Sequence, residues 1–235
     1  MFPSKLQILF FLFLLIFSCA EKPSKKKSQE IKERITVKTE IKKPVKKKIK
    51  QEKDTLHAEN TNSFFTEYGD QNKETKILIT TDFGEIKLRL YEDTPIHRAS
   101  FIFLAKNNYF NTTVFYRVSK DFVIQGGNSD DEYTVIQRRK YDNYLLDSEF
   151  RNNRTHSYGA LAAAKDWENN PNNLSSPFEF YIVQNKTGAH HLDNEHTVFG
   201  EVISGFETIE KINEVETGSD EWPVSDIGMK VKILE

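Results

Sequence analysis

Two periods alternate along the second half of the chain. In "KILITTDFGEIKLRLY" (residues 76–91), Ile86, Leu88 and Leu90 take one face while Lys87 and Arg89 take the other. That is the period-two signature of a half-buried strand. Phe83-Gly84 separates it from the preceding run, so the two segments predict an antiparallel pair. Val114, Tyr116 and Val118 alternate with Phe115, Arg117 and Ser119, "SKD" makes a turn, and Phe122 to Gln125 forms a second strand stopped by Gly126-Gly127. Further strands are predicted over 158–164, 179–184, 197–203 and 228–234. The helical period appears twice. Thr94-Pro95 opens one helix, with Thr as N-cap and Pro at the first position. Ile96, Ala99, Ile102 and Phe103 line its buried stripe, and it ends near Asn107-Asn108. "GFETIEKINEV" is a second, with Phe206, Ile209 and Ile212 on one side. Residues 128–157 show no sustained period and read as irregular. The pattern therefore predicts an all-β dominated domain over 76–235: a closed eight-stranded antiparallel barrel capped by two helices, since closure leaves no open edge.

The first 75 residues have a different texture. Lys5 precedes an apolar run, Ile8 to Phe17, about half the ~20 residues that a spanning helix needs. That length suits the core of an export signal. Ser18-Cys19 at its end resembles a bacterial lipobox, which implies cleavage after residue 18 and lipidation of Cys19. Residues 19–75 are then a lipid-anchored linker. Its Lys-rich part, interrupted by Pro23 and Pro44, has too few apolar residues to offset chain entropy and reads as a flexible basic tether. "SFFTEYG" (residues 63–69) is aromatic enough to pack onto the following domain. These readings place the protein in a bacterial cell envelope, on the periplasmic side. Cys19 is the only cysteine of 235 residues, so no internal disulfide is available. With 33 Lys+Arg against 35 Asp+Glu, the net charge of −2 argues against a nucleic-acid partner.

Candidate chemistry centres on "TVFYRVSKDFVIQGG" (residues 113–127). It carries Arg117 and Gln125 among apolar residues, with no nucleophile or metal ligand nearby. Alone, it reads as a hairpin with a solvated Arg. A second stretch, "LDNEHTVFGEV" (residues 192–202), changes that. The first resembles the cyclophilin signature of Phe, a variable residue and Arg, followed by Phe-apolar-x-Gln-Gly-Gly. The second is similar to the family's Leu-Asp-x-x-His-x-x-Phe-Gly. "GALAAAK" and "EFYIVQ" fall between them in the family's order. Residues 76–235 thus resemble a cyclophilin-type peptidyl-prolyl cis-trans isomerase, and two long signatures in order are more specific than any short motif.

The resemblance implies a reaction that needs no cofactor and no metal. Rotation about a prolyl amide has a barrier of about 18–20 kcal/mol, and no bond is broken in crossing it. An apolar slot for the ring and a donor to the prolyl nitrogen are enough. Carried over, Arg117 is the catalytic donor. Phe122, Val123, Tyr181 and Leu192 line the proline pocket, Gln125 holds the substrate backbone and His196 closes the floor. The backbone of Ala164 meets the residue before proline. Three substrate-side positions depart from the family: Lys165 where Asn is frequent, Glu179 where Gln is usual, and His191 where many members carry Trp. Glu179 is expected beside Arg117 and able to pair with it. "HHLDNEH" offers His190, His191, Glu195 and His196 as metal ligands, but adjacent residues of an extended run point apart and His196 already has a role, so no metal is assigned. The expected partners are proline-containing polypeptides of exported proteins, met by a monomer on a membrane anchor. A module that binds proline loops without isomerising them, its catalysis dulled by Glu179 and Lys165, is the alternative.

Overall fold

The structure, a computed structural model, describes residues 55–235. The expected signal segment, Cys19 and the Lys-rich tether lie outside the described residues. Eight strands form one antiparallel sheet: β1 (Lys76–Thr81), β2 (Gly84–Leu90), β3 (Val114–Ser119), β4 (Val123–Asn128), β5 (Ala160–Ala163), β6 (Phe180–Val183), β7 (Val198–Ser204) and β8 (Lys230–Leu234). Their spatial order is β3-β4-β6-β5-β7-β2-β1-β8. The sheet curls into an open half-barrel, which corrects the expectation of closure. Between the edge strands β3 and β8 there is no ladder. The contact is an isolated bridge, Val114 to Gly228, flanked by Phe115 N–H donating to the Ile227 carbonyl at 2.9 Å. The rest of the β3 edge is occupied by a loop: Val118 N–H donates to the Glu221 carbonyl at 2.9 Å. At the other edge, Val231 N–H donates to Asn111 Oδ1 at 2.7 Å. Loops thus cover both edges, the alternative to closure.

Bulges also alter the expected alternation in β3. The register shifts at Val114/Phe115 and again before Arg117. As a result Phe115 and Val118 are both buried. β4 runs through Gly126 and Gly127 rather than stopping at them, because a side chain there has no room. A Cβ on Gly127, which has φ +98°, would lie 2.0 Å from the Phe178 carbonyl oxygen.

Four helices are present among the described residues, two more than the pattern predicts. α1 (Thr61–Gln71) falls in the stretch assigned to the linker. Phe65 on it is fully buried, and Phe64, Phe65 and Tyr68 all pack around the Phe103 ring at centroid distances of 5.3–5.8 Å. The segment before residue 76 thus packs onto the body, as its aromatic residues suggest, although it lies in the stretch read as linker. Arg98, itself buried, fastens the end of α1 by donating to the carbonyls of Asn72 at 2.7 Å and Gly69 at 3.1 Å. α2 (Pro95–Lys106) begins where Thr94-Pro95 predicts. Thr94 does not cap it, however; its hydroxyl donates to the Tyr91 carbonyl at 3.3 Å. The cap comes from Glu149, whose carboxylate accepts from the N–H groups of Ile96 at 3.2 Å and His97 at 2.9 Å. A carboxylate suits the positive end of a helix dipole. α3 (Glu132–Arg138) lies in the stretch read as irregular, N-capped by Asp131. α4 (Phe206–Asn213) matches its predicted span.

The sheet has two apolar faces. Ile124, Leu161, Ala163, Phe180, Ile182 and Phe199 point into the half-barrel and join the main core under α2. Val123, Ala160, Ala162, Tyr181, Val183 and Val198, their neighbours in sequence, form a separate cluster on the outer face with Leu192 and Phe122. This is the period of two at work, and the second cluster carries the candidate site.

Candidate active site

A cavity of about 330 Å³ opens on this outer face, lined by Arg117, Phe122, Val123, Gln125, Ala164, Lys165, Trp167, Tyr181, Leu192 and His196. Eight residues separated by up to 79 positions in sequence are thus brought together as the signatures imply, joined by Lys165 and by Trp167. Neighbouring strands explain the convergence. Gln125 on β4 is paired with Arg117 on β3 and Tyr181 on β6, so one row crosses three strands at the cavity wall.

Arg117 is held from two sides. Its Nε donates to Glu221 Oε2 at 2.7 Å, and its NH1 donates to Gln125 Oε1 at 3.3 Å. Gln125 in turn donates its amide hydrogen to the Tyr116 hydroxyl. Glu221 sits in a left-handed backbone conformation, φ +64°, that aims its carboxylate back at β3. The hydroxyl of Ser119 donates to its second oxygen at 2.6 Å. That hydrogen bond and the Arg117 charge hold Glu221 below the usual carboxylate pKa. The guanidinium is about one-third exposed, so it is fixed at the rim and not sealed.

The expected pairing of Glu179 with Arg117 is corrected. Glu179 forms its ion pair with Arg138 on α3 at 2.8 Å and accepts from the Tyr116 hydroxyl at 3.1 Å. It does not line this cavity but a neighbouring cleft. Arg138 stands at the end of a seven-residue helix, too short to show a helical period in the sequence.

Tyr181 forms the back wall. Its hydroxyl donates to His156 Nε2 at 2.9 Å, and His156 Nδ1 donates to Asp193 at 2.8 Å. Burial lowers the His156 pKa despite that carboxylate. His196 forms the floor, its Nδ1 donating to the Ala163 carbonyl at 3.0 Å. Its Nε2 has no partner among the described residues. Burial pushes its pKa down to about 4, so the imidazole is neutral at pH 7. The backbone of Ala164 is already engaged: its N–H donates to the Glu179 carbonyl at 3.0 Å and its carbonyl accepts from Ser176 N–H at 2.8 Å. The carbonyl retains a second lone pair. His191 stays outside the cavity lining, exposed, and stacks on Phe122 at 5.5 Å. Lys165 turns its ammonium to Glu195 at 3.0 Å. Trp167 and Glu221 were missed in the sequence. Neither stands in a signature, and only the loop paths bring them to the rim.

Such a site can bind and polarise but has no activated nucleophile at its surface. Comparison with known proteins agrees with this geometry. The model of the cyclophilin type peptidyl-prolyl cis-trans isomerase family matches residues 76–233. A peptidyl-prolyl cis-trans isomerase of Acinetobacter baylyi is 30% identical over 169 residues, covering 68% of this chain and 87% of the relative. A Staphylococcus aureus relative is 30% identical over 184 residues, covering 67% and 90%. Among solved structures, a cyclophilin-type isomerase of Cryptosporidium parvum superposes with a TM-score of 0.57 at 23% identity, over 69% of this chain and 98% of that one. Another structure of that protein, determined in the presence of the dipeptide Ala-Pro, gives a TM-score of 0.56 at 24% identity. At that identity the likeness shows the fold alone. The family match over most of the folded body carries more: the chain belongs to the cyclophilin-type peptidyl-prolyl cis-trans isomerases. Its activity is accordingly cis–trans isomerisation of prolyl peptide bonds.

Proposed function

We propose that this isomerase turns over Xaa-Pro bonds of exported polypeptides at the outer-face cavity, with Arg117 as the donor to the prolyl nitrogen. The observation that carries the reading is Arg117 fixed at the rim of a cavity walled by Phe122, Tyr181 and Leu192. The ring of a proline suits that apolar slot. A guanidinium aimed at the prolyl nitrogen favours its pyramidal, twisted state and so stabilises the transition state. Arg serves here because it is always charged and keeps a planar fork. Uncatalysed, the step takes tens to hundreds of seconds, long enough to limit folding.

Cys19 after its short apolar run supports attachment of the mature chain to a membrane by lipid, with the folded body in the envelope. The test of activity is the isomerisation rate of an Ala-Pro tetrapeptide with the full chain and with Arg117→Ala; equal rates in two folded proteins would remove Arg117 from the mechanism. The test of the anchor is the mass of the mature protein: an intact Met1 on membrane-bound material would refute it. The alternative, a binding module whose catalysis is dulled by Glu179 and Lys165, loses support because Glu179 pairs with Arg138 and Lys165 with Glu195.

A further inference from the structure

Trp167 is 66% exposed, yet it lines the mouth of the cavity. It lies in the loop after β5, three residues beyond Ala164. Two contacts fix its ring. The ammonium of Lys165 lies 4.6 Å from the ring centroid, and the His196 ring meets it at 5.0 Å, tilted 66°. Lys165 is not a loose support: its side chain is 3% exposed and is bound by Glu195 and Asn173. A large indole is therefore held in place by a buried cation and by the pocket floor, while most of its surface remains in water. Leaving so much apolar area exposed forgoes burial that a Trp ordinarily gains.

We propose that Trp167 is a specificity-determining contact, which receives an aliphatic or aromatic side chain flanking the proline in the substrate. The inference rests on the reading of this cavity as the proline site. The class of side chain follows from what surrounds the ring. Its capacity for a cation is already used by Lys165, so a second ammonium or guanidinium gains little from the same π system. The neighbouring carboxylates, Asp166 and Glu168, line the adjacent cleft rather than this cavity. What the loop offers the proline cavity is a flat apolar wall.

The experiment compares kcat/KM of the full chain on tetrapeptides with Gly, Leu, Phe or Lys beside the proline, first before it and then after it, by NMR exchange. The wild type should prefer Leu or Phe over Gly and Lys at one of the two positions by about fivefold, the effect of burying ~40 Å² of apolar surface. Trp167→Ala should lose that preference, its kcat/KM on the Leu and Phe peptides falling to that on the Gly peptide, and Trp167→Phe should retain most of it. A preference that survives in folded Trp167→Ala, or a wild type that favours Lys, overturns the inference and leaves the isomerase reading standing. A wild type that isomerises none of the peptides overturns both. In a Trp222→Phe background, where Trp167 is the only tryptophan, saturation with the Leu peptide should shift the fluorescence to the blue; an unchanged spectrum with bound peptide counts against the contact.

Discussion

The two faces of the sheet are built from the same strands and do opposite things. Inward residues are mostly large and close-packed: Phe115, Leu161, Phe180, Ile182 and Phe199, with Phe101 and Phe110 brought by α2 and the turn after it. Outward residues at β5 are Ala160, Ala162 and, just beyond the strand, Ala164. Small side chains under aromatic neighbours leave a hollow that large ones would fill. The difference teaches that this site is a deliberate under-packing of one face, tolerated because the other face supplies the cohesion.

The comparison can be broken most strongly from the inner side. Phe65→Ala should cost about 3–5 kcal/mol of stability, the range for deleting a fully buried aromatic, in urea unfolding followed by circular dichroism. The folded fraction should keep its rate on a proline peptide. On the outer side the expectation reverses. Arg117→Ala should lower kcat/KM by about 100- to 1,000-fold, as loss of one transition-state donor does, with stability changed little. Arg117→Lys should not restore the rate, because an ammonium lacks the fork.

Acid sharpens the contrast next. His196 and His156 belong to the outer face, and both are held below the usual imidazole pKa by burial. Above pH ~6.5 both states carry neutral imidazoles and the pair contributes no pH dependence. As pH falls from there toward about 4, the unfolded chain takes up protons that folded His196 refuses. Stability should therefore decline by up to about 1.4 kcal/mol per pH unit for each such group. Thermal unfolding between pH 7.5 and 5 should show it, and His196→Gln should flatten the slope. The smallest effect separates two carboxylates. Glu221→Gln, which weakens the hold on a partly exposed Arg117, should lower kcat/KM by roughly two- to fivefold, in line with a semi-exposed ion pair. Glu179→Gln should leave the rate unchanged, since its partner is Arg138.

Much of this was legible in the chain. All eight strands were, the half-buried ones such as β2 by alternation and the fully buried β5 and β6 as short apolar runs. Nine of the ten cavity residues, all but Trp167, stand in the two signatures or the two matching stretches between them, whose spacing the sheet converts into proximity. Three things were not. α3 is seven residues long, too short to display a helical period. α1 was hidden as a helix by its polar composition, although the aromatic residues Phe64, Phe65 and Tyr68 announced that the segment packs onto the body. Glu221 and Trp167 reach the site through loops, and a loop's path depends on contacts such as Gly218 N–H to the Trp222 carbonyl at 2.8 Å that no local pattern announces. Glu149 makes the same point: it caps a helix that begins 54 residues earlier in the chain.

The clamp on α1 has a mechanical consequence. Any pull transmitted along the chain from before residue 55 reaches α1 ahead of the sheet. Arg98 ties the far end of that helix, at Gly69 and Asn72, to α2. The aromatic contacts with Phe103 fix its middle. Tension would thus be spent on detaching a helix that contributes no residue to the cavity. The strands that bear Arg117 and Gln125 lie downstream of this shock absorber, so the row at the cavity wall keeps its shape while α1 yields.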